Sequence, residues 1–119
     1  MSIPAAVPEP SNGATPPRAR FVVFWGTPSD VEAFERHYRA THVPLARQLP
    51  GLRRYTLSRN VSALRGGEPY YLIAELDWDD MGSLRTAFQS EVGQRTGADV
   101  DYLARFASVR SMTYELADV

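Results

Sequence analysis

Phe21-Val22-Val23-Phe24-Trp25 is a run of five apolar residues ended by Gly26-Thr27-Pro28. The run is too short for a buried helix, and its valine and aromatic content favours a strand. Side chains alternate across a strand, so this one is apolar on both faces. A sheet that contains it needs cover on both sides. That requirement narrows what a chain of 119 residues can build, because the length supports one core and not two.

The segments that follow supply cover for one face. Ser29-Asp30-Val31-Glu32 reads as a capping box, with Val31, Phe34, Tyr38 and Leu45 following at helical spacing. Pro44 disfavours α geometry at Val43, so a break is expected there, with Pro44 opening a second short helix through Arg47 and Gln48. Pro50-Gly51 stops that helix. Leu52 to Val61 reads as a strand and residues 62–69 as a loop. Tyr70 to Trp78 reads as a strand, apolar on both faces until Glu75 and Asp77. Asp79-Asp80 cap a helix whose stripe is Met81, Leu84, Phe88 and Val92. Gly93 and Gly97 loosen the next stretch, and Thr96 with Asp99 reads as the cap of a short helix carrying Val100, Leu103 and Ala104. A strand from about Phe106 to Leu116 closes the chain.

The order βαββαβ predicts an α+β, ferredoxin-like fold, a four-stranded antiparallel sheet with its helices on one face. The first and third strands then leave a second apolar face, and exposed patches of that kind mark interfaces. The expected cover is another copy of the chain, sheet against sheet, in a twofold homodimer. The domain spans residues 20–119. Residues 1–19 read as a flexible tail, since five of the nine prolines fall in residues 1–17.

Charge and composition exclude several partners and chemistries. The 13 basic and 14 acidic residues nearly cancel, which builds no field for nucleic acid. Every basic residue is Arg, so a lysine Schiff base is excluded. There is no Cys, hence no thiol nucleophile and no thiolate metal site. No segment approaches the ~18 apolar residues of a membrane span, and no signal peptide pattern is present. A cytoplasmic location without membrane association is expected.

The two histidines, His37 and His42, are five residues apart, about 140° around an ideal helix. That geometry is poor for a shared metal, and none is expected. His42 falls on the apolar stripe with Tyr38 four residues before it, whereas His37 falls on the polar side near Arg36 and Glu35. A neutral imidazole facing the space between helix and sheet can act as acid or base near neutral pH. It can equally be a buried histidine bonded to a carbonyl freed at a helix break. Trp25, Tyr55, Tyr70, Tyr71, Trp78 and Phe106 can wall a pocket or simply pack. Arg53-Arg54 reads as a solvated strand edge, and Glu75 and Asp77 as interface or solvent residues. Gly66-Gly67 lacks the spacing of a phosphate loop.

The run from Phe34 to Ala46, with its His42-Val43-Pro44-Leu45, is followed by Pro50-Gly51-Leu52-Arg53-Arg54-Tyr55. This pair of segments resembles the EthD family over about residues 20–117. The resemblance implies the dimeric α+β barrel superfamily. That group includes cofactor-free polyketide cyclases, monooxygenases, isomerases, decarboxylases and dehydratases. By the same resemblance His42 matches the family's histidine and Tyr55 its strand tyrosine. Haem-degrading relatives use a histidine of the second crossover helix, and residues 79–105 contain none.

The leading expectation is therefore a cofactor-independent enzyme of small-molecule metabolism, acting on aromatic, polyketide-like or xenobiotic compounds by isomerisation, cyclisation, dehydration or decarboxylation. His42, Tyr38 and Tyr55 are the candidate catalytic residues. Trp25, Phe34, Tyr71, Phe88 and Phe106 are the candidate substrate walls. The alternatives are a cofactor-free monooxygenase on a phenol and a non-catalytic accessory protein of a catabolic cluster.

Overall fold

The computed structural model describes residues 15–119, so the expected tail lies outside the described residues up to residue 14. Strand β1 (Ala19–Trp25) is followed by helix α1 (Val31–His37), a π-helical segment (Tyr38–His42) and the short α2 (Val43–Ala46). Then come β2 (Arg54–Leu57), β3 (Leu72–Trp78), α3 (Met81–Gln89), α4 (Glu91–Leu103) and β4 (Val109–Glu115). The strands form one antiparallel sheet in the order β2-β3-β1-β4. This is the ferredoxin-like arrangement expected from the order of elements.

The registers pair Phe21 with Leu76, Val23 with Ala74 and Trp25 with Leu72. These residues share the face that packs under the helices, together with Phe34, Tyr38, Leu84 and Leu103, which are all buried. Trp78 closes the core at the end of β3, its indole N–H donating to the Pro50 carbonyl at 2.8 Å. Gly51, at φ +74°, turns the chain beside that indole, a conformation that favours glycine.

The opposite face carries Val22, Phe24, Ile73, Met112 and Tyr114 by alternation. Phe24 and Tyr70 pair there with ring centroids 4.8 Å apart. Asp77, also on this face, is only 6% exposed because Arg20 holds both its oxygens, at 2.7 and 3.0 Å. Glu75 sits 3.6 Å from the same guanidinium. These carboxylates hold the guanidinium well above its ordinary pKa.

Several local expectations are corrected. Asp30, not Ser29, caps α1, accepting from the Ala33 amide at 3.0 Å. The inward stripe is Phe34, Tyr38, His42, Ala46 and Leu49, and Val31 is 42% exposed. Pro44 does not break the helix: Val43 keeps helical angles, and its amide bonds to the Tyr38 carbonyl five residues back. The widened turn carries the chain past a proline that has no N–H to give.

β2 is shorter than the expected Leu52–Val61, because pairing with β3 ends at Leu57. The second crossover breaks at Ser90, not at the glycines. Ser90 is extended and caps both helices, donating to the Ala87 carbonyl and accepting from the Gly93 amide. A Cβ on Gly93 would collide with the backbone of Ala87 and Phe88, so the tight turn demands glycine there. Thr96 and Asp99 are no cap. They lie inside α4, where the Thr96 hydroxyl donates to the Val92 carbonyl at 2.8 Å.

Candidate active site

Residues five apart lie on different sides of an α-helix, but an i→i+5 turn stacks them. The π segment Tyr38–His42 therefore brings His37 and His42 to one side. Between them stands Asp99 of α4. His42 Nδ1 lies 2.7 Å from Asp99 Oδ2, and His37 Nε2 lies 2.7 Å from Asp99 Oδ1. His37 is thus not a solvated residue of the polar face. It is bound to the same carboxylate as His42, and the 140° separation assumed for an ideal helix does not apply.

His42 lines a cavity of about 280 Å³ between the helices and the sheet. Its wall also includes Trp25, Tyr38, Tyr55 and Phe88. Gly97, exposed, stands at the rim. On the far side the wall ends at Ser111 and Thr113 of the exposed edge strand β4. Among the described residues no charged side chain forms the wall, so the chamber suits a neutral, mostly apolar guest.

His42, Tyr38 and Tyr55 are the titratable side chains of the chamber wall among the described residues. Burial pushes the His42 pKa below its ordinary value, against the opposing effect of its hydrogen bond to Asp99. The ring is therefore neutral near neutral pH, with Nδ1–H donated to the carboxylate. Among the described residues no fully buried side-chain nitrogen or oxygen lacks a partner. His42 Nε2 makes no hydrogen bond to a described residue and so keeps some accessible surface, on a residue that lines the cavity, where it can serve as a lone-pair acceptor.

The Tyr38 and Tyr55 hydroxyls meet at 3.1 Å. Burial, reinforced by Tyr55, raises the Tyr38 pKa far above the ordinary phenol value, and burial raises that of Tyr55 as well. Both stay protonated at neutral pH and act as donors. Either hydroxyl can donate to the other, and the one that accepts keeps its own proton for a guest.

The cavity brings together five of the eight expected site residues: His42, Tyr38, Tyr55, Trp25 and Phe88. The remaining three stand outside its wall. Phe34 is fully buried and stacks on Tyr38 at 5.5 Å. Tyr71 donates to Glu35, and burial first, then this carboxylate, raises its pKa to about 12. Phe106 packs edge-on against Tyr102 at 5.8 Å. Asp99 is the residue that the sequence reading missed. The histidine and aspartate groups hydrogen-bond to one another, and the described residues hold no cluster of three such side chains arranged for a metal.

The fold and the site define a class: a ferredoxin-like chain with an apolar chamber, a carboxylate-backed histidine and paired tyrosines. The EthD domain profile matches residues 27–107. The chain belongs to the EthD family. An uncharacterized 11.0 kDa protein from the thcB-thcC intergenic region of Rhodococcus erythropolis is 36% identical over 90 residues, 75% of this chain and 84% of that one. An EthD family protein from Bacillus halodurans superposes with a TM-score of 0.73 at 32% identity, over 84% of this chain and 99% of that one. SnoaB, a cofactor-independent oxygenase from Streptomyces nogalater, shares the fold at a TM-score of 0.60 and 19% identity, over 87% and 96% of the two chains. No helix among the described residues is long and apolar enough to cross a membrane.

Proposed function

We propose that this chain is a cofactor-independent enzyme that moves a proton on a small, largely apolar carbonyl or phenolic compound. One observation carries the reading: His42, in the wall of an apolar chamber, gives one nitrogen to Asp99 and leaves the other without a partner among the described residues. Nε2 takes a proton from carbon next to a carbonyl, and the Tyr55 hydroxyl donates to the oxygen on which charge develops. Asp99 stabilises the imidazolium that forms. Trp25 and Phe88 exclude water. Returning the proton to another atom gives isomerisation, and loss of a leaving group gives dehydration.

A test needs no natural substrate. The aromatic ketone 1-tetralone, held in D2O with the protein, should gain deuterium next to its carbonyl. His42→Ala should fold and slow that exchange by about 10²–10⁴-fold. Equal exchange by both proteins would sink the reading.

Trp25, in the cavity wall 6.3 Å from the Tyr38 ring, favours a second reading. Deprotonation of a phenol by His42 would give an electron-rich phenolate that reduces molecular oxygen itself. Oxygen uptake with a naphthol probe separates this reading from the first. Under either one, we propose that two copies pair through the open sheet face.

A further inference from the structure

We infer that His37 is a positioning residue for His42, acting through Asp99. The inference rests on the acid/base reading of His42, since orientation matters there. A carboxylate on a helix can rotate about its own bonds, and a single hydrogen bond leaves it that freedom. Asp99 is held by two imidazoles, one on each oxygen, both at 2.7 Å. With Oδ1 occupied by His37, Oδ2 stays on His42 Nδ1. The His42 ring then keeps its Nδ1–H tautomer and its open Nε2.

The three side chains are graded from chamber to surface. His42 is 8% exposed, Asp99 12% and His37 25%. His37 therefore caps the carboxylate against water, which would otherwise compete for Oδ1. The cap is itself braced: the His37 ring lies 4.4 Å from that of Tyr102, and the Arg105 guanidinium lies 5.3 Å from the Tyr102 ring.

Few other titratable or charged groups face His42. Asp99 comes from α4, Tyr38 from the same π segment at 5.0 Å, and Tyr55 from β2 behind Tyr38. The remaining influence is His37, whose positive charge, when present, disfavours protonation of His42.

The chain has only two histidines, so their ring nitrogens can be followed one by one by ¹⁵N NMR of the full chain without substrate. At a pH above the His42 titration, the native protein should show His42 as a single Nδ1–H tautomer. His37→Phe keeps a ring against Tyr102 but donates nothing to Asp99. It should convert His42 to a mixture containing the Nε2–H form. His37→Gln places an amide donor at Asp99 and should restore the single tautomer, with the His42 pKa moved upward because the nearby positive charge is gone. A His37→Phe protein that keeps His42 wholly in the Nδ1–H form overturns the inference, as does a His37→Gln protein as mixed as the Phe variant. These readouts stand apart from turnover: ketone exchange independent of His42 sinks the acid/base reading and leaves the tautomer result as it is.

Discussion

His42 Nδ1 and Asp99 Oδ2 sit 2.7 Å apart although 57 residues separate them in the chain. The contact joins the π segment to the middle of α4 and sets which imidazole nitrogen faces the cavity. Asp99→Asn tests it. The amide can donate to Nδ1 and so favours the opposite tautomer, with the proton on Nε2. Ketone exchange should fall by about 10²–10⁴-fold in a folded protein. An unchanged rate would show that the carboxylate has no part in the chemistry.

Tyr55→Phe should separate the donor role from packing. The variant keeps the ring and removes the hydroxyl that shares a hydrogen bond with Tyr38. Exchange should drop by about 10²–10³-fold, the usual effect of removing one donor to a developing oxyanion. Binding of the ketone, read by fluorescence of Trp25 and Trp78, should change far less. A large loss of binding with an intact rate of conversion would contradict this assignment.

Stability should depend on pH through His42. Burial lowers its pKa in the folded state, so the unfolded chain binds the proton more readily. The contribution of the neutral ring is fully present above the unfolded value of about 6.5. It is lost as pH falls from there through the lower, folded value. Denaturant midpoints measured from pH 8 to pH 5 should decline, and His42→Gln should flatten that window. A midpoint that rises on acidification would reverse the sign.

The open sheet face should hold the dimer. Sedimentation at micromolar concentration should give twice the chain mass. Phe24→Asp and Met112→Asp each place a charge on this face, away from the cavity, and should yield folded monomers. A native protein that sediments as a monomer would remove the proposed interface.

Strands were legible because their alternation is local: the five-residue apolar run became β1, and the apolar stretch before Trp78 became β3. The π segment left a subtler mark. Phe34, Tyr38, His42 and Ala46 are buried at steps of four. An α-helix drifts about 40° per such step, so a straight one could not keep all four inward. A widened turn absorbs the drift, and that spacing was the signal to find. Asp99 left none. Its partners are 57 and 62 residues away, and Thr96-x-x-Asp99 imitates a local cap. Only the docking of α4 against the first crossover reveals it.

The π segment also sets a limit on how this protein can be improved. Substitutions that pull residues 38–42 into regular helical bonding at their present length are an ordinary route to a hardier protein. They would also turn His42 to about 140° around the helix from His37 and pull it off Asp99. Selection for thermal tolerance and selection for turnover should therefore oppose each other at this one turn, and variants that tighten it should trade one property for the other.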